Sequence, residues 1–259
     1  MTLKRFAVLP FFLVVVLSVY AQQSSTAPSK DAQAVSILQN SVTTMASAIP
    51  SDSVASGNIQ IVAGSLTTQG TIRVLTKGST ESLLQVTTPQ ATNRVIFSNG
   101  QANALAASAV SVLPLELAVT SQVTEFPLPL LISILNNPDT SSQYVGLETS
   151  GSTSLQHVRV WDSFASSPDL ATLSTFSTRD IWIDASSGLV QRISFTVRAA
   201  QGASPAVAMD IYYSGYQVAS GVAYPYNIQE SMNGTPWATI SIQAVSFNNG
   251  LTDSQFTVQ

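Results

Sequence analysis

After residue 54, apolar residues recur at every second position through most of the chain, and this alternation constrains the fold more than any other feature. Ile59 and Ile61, for example, flank the polar Gln60. Because successive side chains of a strand point to opposite faces, such runs give each strand one apolar and one polar face. The Asn99-Gly100 pair is typical of a tight hairpin turn. The pattern predicts an antiparallel meander.

A second group of alternating runs follows an interruption between residues 101 and 139. Ile193 and Phe195 share one face of a predicted strand, and Ile211 repeats that pattern on the next strand. The predicted strands in this part cover residues 144–147, 155–161, 179–184, 188–197, 207–213, 224–232 and 237–247. One face of the sheet is therefore expected to be apolar across several strands.

One helix is predicted before the first strand, over about residues 30–49. Apolar residues there are spaced three and four apart, which places them on one helix face: Val35, Leu38, Val42, Met45 and Ile49. Ser29 is the expected N-cap, and Pro50 ends the helix.

A second helix is predicted at about residues 128–136, within the interruption between the two groups of strands. Residues 126–135 are apolar nearly all round and carry two prolines at their start, where a helix tolerates proline. A helix that is apolar on all sides must be buried or must cover an apolar surface. We therefore expect residues 126–135 to cover the apolar face of the sheet.

The amino terminus has the order of a secretory signal peptide, which predicts export to the periplasm or the medium. Lys4 and Arg5 precede an apolar run, and a small-x-small site ends at Ala21. The run is shorter than the roughly 20 residues of a spanning helix, although an uncleaved anchor is the alternative. The predicted organisation is a signal peptide (1–21), a flexible leader (22–29) and a single β domain (30–259), soluble and monomeric once the signal is removed.

Composition narrows the classes of function. The chain has no cysteine, which excludes disulfides, a thiolate nucleophile and a cysteine-based metal site. Without Lys4 and Arg5, eight basic residues stand against fourteen acidic ones, a net charge of −6. No basic patch occurs in the sequence, so nucleic acid is not an expected partner.

The sequence contains no recognisable catalytic centre. His157 is the single histidine, lies within a predicted strand and is expected to face solvent or the mouth of the barrel. There is no G-x-S-x-G motif. Asp180 and Asp184 share a strand face about 13 Å apart, too far for paired glycosidase carboxylates, and Asp210 is the other acid that could neighbour Asp180. We expect no enzyme activity, no cofactor and no metal.

The carboxyl-terminal third resembles a known family. The residues on which the resemblance rests are Asp180-Ile181-Trp182-Ile183-Asp184, Ser187-Gly188-Leu189, Arg192-Ile193, Tyr224-Pro225-Tyr226, Asn233-Gly234 and, at the end, Leu251, Asp253 and Phe256. This succession of strands and tight turns is similar to the LolA-like superfamily of exported lipoprotein-sorting and lipid-carrier proteins of the bacterial envelope. The predicted first helix and meander fit its amino-terminal half.

The resemblance implies a mainly β (α+β) fold: a strongly curved, incompletely closed antiparallel β-barrel covered by helices. It also implies a non-catalytic role, with an apolar cavity that takes a lipid or the acyl chain of a lipoprotein. The expected lining residues are Ile59, Ile61, Ile72, Val74, Leu84, Val86, Val95, Phe97, Leu131, Ile181, Ile183, Phe195 and Ile211. The expected lid residues are Phe126, Leu128, Leu130, Leu131, Ile134 and Leu135.

Two other hypotheses remain. The same fold with a filled core would serve as an envelope interaction or sensor module, with an envelope protein rather than a lipid or an acylated protein as its partner. A hydrolase would have to use His157. LolA-type carriers commonly hold the lid by an arginine that bonds to backbone, and residues 126–135 contain no arginine.

Overall fold

A computed structural model describes residues 27–106, 109–120, 122, 124–198 and 206–258. The predicted signal peptide lies outside the described residues, as does the leader up to residue 26. None of the helices in the described part of the chain is both long and apolar enough to cross a membrane.

Thirteen strands of the described chain form one antiparallel sheet. They are β1 (Asp52–Ala63), β2 (Leu66–Lys77), β3 (Glu81–Thr87), β4 (Thr92–Ser98), β5 (Gln101–Ala106), β6 (Ala109–Val112), β7 (Thr140–Ser150), β8 (Thr153–Asp162), β9 (Arg179–Asp184), β10 (Val190–Val197), β11 (Val207–Ala219), β12 (Val222–Met232) and β13 (Thr235–Phe247). The spatial order is β6-β5-β4-β3-β2-β1-β13-β12-β11-β10-β9-β8-β7. Strands β6 and β7 are the two edges, so the curved sheet is an incompletely closed barrel, as predicted.

Four α-helices lie in the described residues: α1 (Ala32–Met45), α2 (Leu115–Ala118), α3 (Pro127–Asn136) and α4 (Ser174–Ser177). Two 3-10 helices cover Pro168–Leu173 and Asp253–Phe256. Helices α2 and α3 lie in the chain between the edge strands β6 and β7. The predicted second helix therefore exists and begins one residue earlier than expected.

Two predicted hairpin turns are confirmed. Asn99 and Gly100 have φ values of 49° and 83° and connect β4 to β5. Asn233 and Gly234 have φ values of 49° and 75° and connect β12 to β13. Two successive positive φ values are those of a type I′ turn, which matches the twist of antiparallel strands.

Strands β5 and β6 lie where the sequence pattern predicted an interruption, and that prediction was wrong. Strand β5 is half alanine, a residue with low strand propensity, so composition alone conceals it. It pairs with β4 in a register in which Ser98 faces Gln101 next to the turn and Asn93 faces Ala106 at the far end. The turn at Asn99-Gly100 sets this register. The turn therefore predicts β5 better than the composition of β5 does.

Helix α1 is shorter than predicted, and its buried face is different. Asp31, not Ser29, is the N-cap, and its carboxylate accepts hydrogen bonds from the backbone N–H groups of Gln33 and Ala34. The helix ends at Met45 because Ala46 is extended and forms a β-bridge with Val222. Its buried residues are Ala34, Ile37, Leu38, Ser41 and Met45, whereas Val35 and Val42 are partly buried and Ile49 is 58% exposed.

The segment before α1 pairs with the edge strand β7. The backbone of Ser142 donates to Ser29 and accepts from Asp31 at 2.9 and 3.0 Å, which makes a short parallel bridge. The Asp31 carboxylate also accepts from the N–H of Tyr144. These bonds fix the start of α1 at one edge of the sheet and cover part of an edge that would otherwise be unpaired.

The sheet buries apolar residues on both faces. On its inner face, defined as the face that carries α1 and α3, lies the main core. On its outer face Leu75, Leu83 and Ile96 pack under Phe256 of the carboxyl-terminal segment. The predicted polar outer face is therefore wrong for β2, β3 and β4. The carboxylate of Asp52 holds this segment in place by accepting from the N–H groups of residues 249–251.

Candidate functional site

Helix α3 covers the inner face of the sheet with apolar side chains. Five of its predicted lid residues are at most 8% exposed, namely Phe126 at the N-cap, Leu128, Leu130, Leu131 and Ile134. The sixth, Leu135, is partly buried and packs against the same core. The Phe126 ring stacks on that of Tyr224 from β12, with centroids 4.5 Å apart. Helix α3 thus lies where the sequence placed a cover.

The predicted lining residues separate into a buried and a half-buried group. Seven belong to the buried core between the sheet and the helices: Ile59, Ile72, Val74, Leu131, Ile181, Ile183 and Ile211. Four are partly buried and pack against it: Ile61, Leu84, Val86 and Phe195. Val95 and Phe97 are also partly buried. Strands β3 and β4 therefore carry a half-buried apolar patch, made of Leu84, Val86, Val95 and Phe97.

Two cavities on the inner face are small. One of about 50 Å³ lies between α1, α3 and β7 and is lined by Leu38, Gln39 and Leu135 among others. Another, of about 10 Å³, lies between Phe97 and Pro129 of α3. Sites for small molecules usually measure about 300–1,000 Å³. With α3 in this position, neither cavity admits a hydrocarbon chain.

Two side chains of the sheet hold the segment before α3 through its backbone. Arg179 of β9 donates to the carbonyl oxygen of Val119 at 2.6 Å, and the Tyr213 hydroxyl donates to that of Thr124 at 2.6 Å. Arg179 is 6% exposed, and burial lowers its pKa from the usual value. An arginine–backbone contact therefore exists, but the arginine is on the sheet instead of within residues 126–135. Its signal was present in the sequence, because Arg179 shares a strand face with Ile181 and Ile183.

Two buried carboxyl groups lie beneath the start of α3. Glu125 directly precedes the helix and is 5% exposed, and Glu230 of β12 is 7% exposed. Burial, with the nearby Glu125 adding to it, raises the pKa of Glu230 to about 8. Burial likewise raises the pKa of Glu125. Ionising both groups would set two like charges in an apolar environment at the base of α3.

The carboxyl-terminal end of α3 is held by a polar contact. The Lys30 ammonium donates to the carbonyl oxygens of Leu135 and Asn137 at 3.4 and 3.0 Å. A cation at this end also suits the helix dipole. The contact is solvent-exposed, which limits its contribution to stability to about 1 kcal/mol or less. This contact therefore adds little to the attachment of α3, which at this end depends on the packing of Ile134 and Leu135.

His157 is not positioned as a catalytic base. It is 6% exposed, so of the two expected positions, solvent or the mouth of the barrel, the solvent-facing one is wrong. Its Nδ1 lies 2.6 Å from a Glu148 carboxylate oxygen, and its Nε2 lies 2.7 Å from one of Asp180. Each ring nitrogen therefore already has a carboxylate partner, and neither is turned towards a hydroxyl that it could deprotonate.

Asp180 and Asp210, which could have been neighbouring acids, each pair with an arginine instead. Asp180 pairs with Arg159, and Asp210 pairs with Arg192. In the sheet register Ser194 lies between Asp180 and Asp210. Within the described ranges no three His, Asp or Glu side chains are grouped so as to hold a metal ion. The geometry of these residues is that of ion pairs on the outer face.

Comparison with solved structures relates the fold to three crystal structures from bacteria. A LolA superfamily protein from Nitrosomonas europaea superposes with a TM-score of 0.58 at 14% identity, covering 87% of this chain and 97% of its own. A DUF1329 family protein from Desulfovibrio piger gives a TM-score of 0.57 at 9% identity, with 87% and 96% covered. A domain assigned to the outer membrane lipoprotein-sorting proteins, from Vibrio parahaemolyticus, gives 0.58 at 10% identity, with 86% and 95% covered.

These likenesses show the fold, and the chain has a LolA-like fold as the sequence resemblance implied. At such low identity they carry no residue roles. No family model matches the chain, and no curated protein sequence matches it either.

Proposed function

We propose that this protein is a non-catalytic exported carrier that binds the hydrocarbon chain of a lipid, or of an acylated protein, between α3 and the inner face of the sheet. The observation that carries the proposal is α3 itself, a helix apolar nearly all round that lies on an apolar sheet face. The lipoprotein-sorting protein among its structural neighbours supports the same ligand class.

Binding in this account requires α3 to move. The described cavities on the inner face are far smaller than a hydrocarbon chain, so the chain must take the volume that α3 vacates. Each buried methylene contributes about 0.8 kcal/mol, which offsets the apolar contacts that α3 gives up. The half-buried patch on β3 and β4 is the part of the inner face that the ligand reaches first.

The amino-terminal signal pattern supports a periplasmic or secreted location for the carrier. Its partners would then be a lipid or acylated protein and, at delivery, an envelope protein. The lining and lid residues proposed for it are those that the sequence predicted. The seven fully buried lining residues would contact ligand after α3 moves, and the patch would contact it before.

The small size of the inner cavities favours a second candidate, an envelope interaction or sensor module with the same fold and no ligand. Native mass spectrometry of the protein purified from its own envelope distinguishes the two. A carrier retains lipid adducts and binds a fluorescent fatty acid in competition with them. A sensor module shows neither adducts nor fatty-acid binding, and that result would remove the carrier proposal.

Replacing Phe97 with alanine should weaken fatty-acid binding roughly tenfold, since it removes part of the patch that receives the chain. Phe97 is only partly buried and faces Pro129 of α3, so the fold should tolerate its truncation. Fluorescent fatty-acid titration measures the affinity, and urea denaturation checks stability. Leu66→Ala is the matched control, because Leu66 is 72% exposed and outside the site. Equal fatty-acid affinities for the two variants would contradict binding of the hydrocarbon chain at the half-buried patch.

A further inference from the structure

A cavity formed by described residues opens on the outer face, on the opposite side of the sheet from α1 and α3. It measures about 390 Å³ and opens between the ends of β7 to β11. Trp182, Arg192 and Tyr212 form one side of it, and Glu148, Thr153 and Gln191 contribute polar groups. This volume is within the range of small-molecule sites, about 300–1,000 Å³. We call it the outer pocket.

The side of the outer pocket formed by Trp182, Arg192 and Tyr212 is held in place by contacts with neighbouring side chains. His157, Trp182, Arg192 and Tyr212 are successive partners in the registers of β8 to β11. The Trp182 ring lies 4.3 Å from the ring of His157 and 4.3 Å from the Arg192 guanidinium. Its Nε1–H donates to Glu148 at 2.9 Å. A surface held in one arrangement in this way loses little entropy when a ligand binds.

The charged side chains at the outer pocket already have hydrogen-bond partners within the protein. Arg192 makes two hydrogen bonds to one carboxylate oxygen of Asp210, at 3.1 and 2.6 Å. Glu148 is hydrogen-bonded to both His157 and Trp182, and these contacts lower its pKa. An anionic ligand would therefore meet no unpaired positive charge at Arg192, and a neutral polar ligand fits better.

Uncommitted groups remain at the pocket wall. The side chains of Thr153 and Gln191 make no hydrogen bond to other described residues. The Tyr212 ring is 38% exposed, with the Arg192 guanidinium 5.4 Å from its centroid. An amide and a hydroxyl both donate and accept, which suits a ligand rich in hydroxyl groups. The negative face of a phenol ring attracts the weakly positive C–H groups on one face of a sugar ring.

We propose that the outer pocket is a second binding site, which takes a neutral saccharide. The sugar stacks on Tyr212 and hydrogen-bonds to Gln191 and Thr153, while Trp182 and Arg192 form the adjoining side of the pocket. Its Trp182, Arg192 and Tyr212 side chains lie on the sheet face opposite the proposed hydrocarbon site, and Tyr213, which also lines the pocket, belongs to the inner core.

Indole N–H resonances provide a local test, since the chain has three tryptophans, at positions 161, 182 and 237. The full protein is titrated with maltose, cellobiose and N,N′-diacetylchitobiose, and Trp182→Phe assigns the resonance. We expect at least one sugar to shift the Trp182 resonance saturably and to leave that of Trp237 in place. No shift with any sugar, or a shift only with an anionic probe such as glucose 6-phosphate, would overturn the proposal.

Two variants of Tyr212 separate stacking from a general disturbance. Tyr212→Ala should weaken sugar binding at least about tenfold, whereas Tyr212→Phe, which keeps the ring, should change it less than about threefold. Gln191→Ala should weaken binding as well, through the lost amide. Sugar binding of unchanged affinity in Tyr212→Ala would contradict the assignment. An unchanged Trp237 resonance confirms that each variant is folded.

Discussion

Replacing Glu230 with glutamine should raise the free energy of unfolding, by an amount that grows as the pH rises from about 5 to about 8. Glu230 lies between Ile211 and Ala238 in the sheet register, with both neighbours buried. Burial and the nearby Glu125 raise its pKa to about 8 in the folded protein. Glutamine fits the same space and has no charge to bury.

The direction follows from the raised pKa. Below the unfolded pKa the carboxyl is protonated in both states, so the group costs nothing there. Between the unfolded value and about 8 the unfolded state releases the proton and the folded state keeps it, so stability falls as the pH rises. The fall is at most about 1.4 kcal/mol per pH unit, and it levels off above the folded pKa.

Urea denaturation of both proteins at several pH values measures this difference. The variant should be the more stable one near neutrality, and the two should converge near about pH 4. Asp169→Asn is the matched control, since it makes the same change from carboxyl to amide at an exposed position. Parallel profiles for Glu230→Gln and the wild type would show that Glu230 is not a buried neutral acid.

Linking α3 to α1 should abolish fatty-acid binding, with an affinity loss of at least about a hundredfold. Gln39 of α1 and Leu135 of α3 both line the cavity of about 50 Å³ between the helices. The chain has no cysteine, so Gln39→Cys with Leu135→Cys gives two unique sites for a short cleavable bismaleimide. The linked protein keeps α3 on the sheet, where no described inner cavity fits a hydrocarbon chain.

Control variants separate the effect of the α1–α3 cross-link from the effect of labelling the cysteines. Each single cysteine variant, treated with the same reagent, should bind fatty acid with the affinity of the untreated wild type. Cleavage of the linker in the doubly labelled protein should restore fatty-acid binding. A cross-linked pair at Val62 and Thr67, partners in the β1–β2 register and both exposed, leaves α3 free and should bind normally. Unchanged affinity in the locked protein would mean that hydrocarbon binds elsewhere.

The sequence predicted the sheet well where alternation and turns are local. The strand at Arg179–Asp184 was predicted with its observed bounds, with Trp182 on the face opposite Ile181 and Ile183. Hairpin turns with an Asn-Gly pair were also predictable, since few other residues adopt two positive φ values in succession. Local rules therefore suffice for β1 to β4, for most of the strands from β7 onward and for the position of α3, but not for β5 and β6.

Contacts between distant parts of the chain were not predictable from local patterns. The end of α1 depends on a bridge between Ala46 and Val222, and the burial of Leu75 on the outer face depends on Phe256. One signal for the outer core was visible, because adjacent apolar residues such as Val74 and Leu75 place one side chain on each face. What covers the second face could not be read from that signal.

Charged residues on the apolar face were the missed part of the candidate site. Arg179 and Glu230 each fall in register with inward apolar residues of their own strand, so alternation alone places them inside. Glu125 lies in a loop before α3, where no periodicity applies. The contacts that hold α3 are thus partly readable from sequence, whereas the carboxyl pair beneath it required the structure.

A stearic acid that carries a nitroxide near its methyl end tests most directly whether hydrocarbon lies between α3 and the sheet. The nitroxide broadens nearby methyl resonances of the protein. The account predicts strong broadening at Leu84, Val86 and Val95 of the half-buried patch, and none at the exposed Leu66 and Val218. Equal broadening at both sets, or a bound fatty acid that leaves the patch resonances sharp, would contradict it.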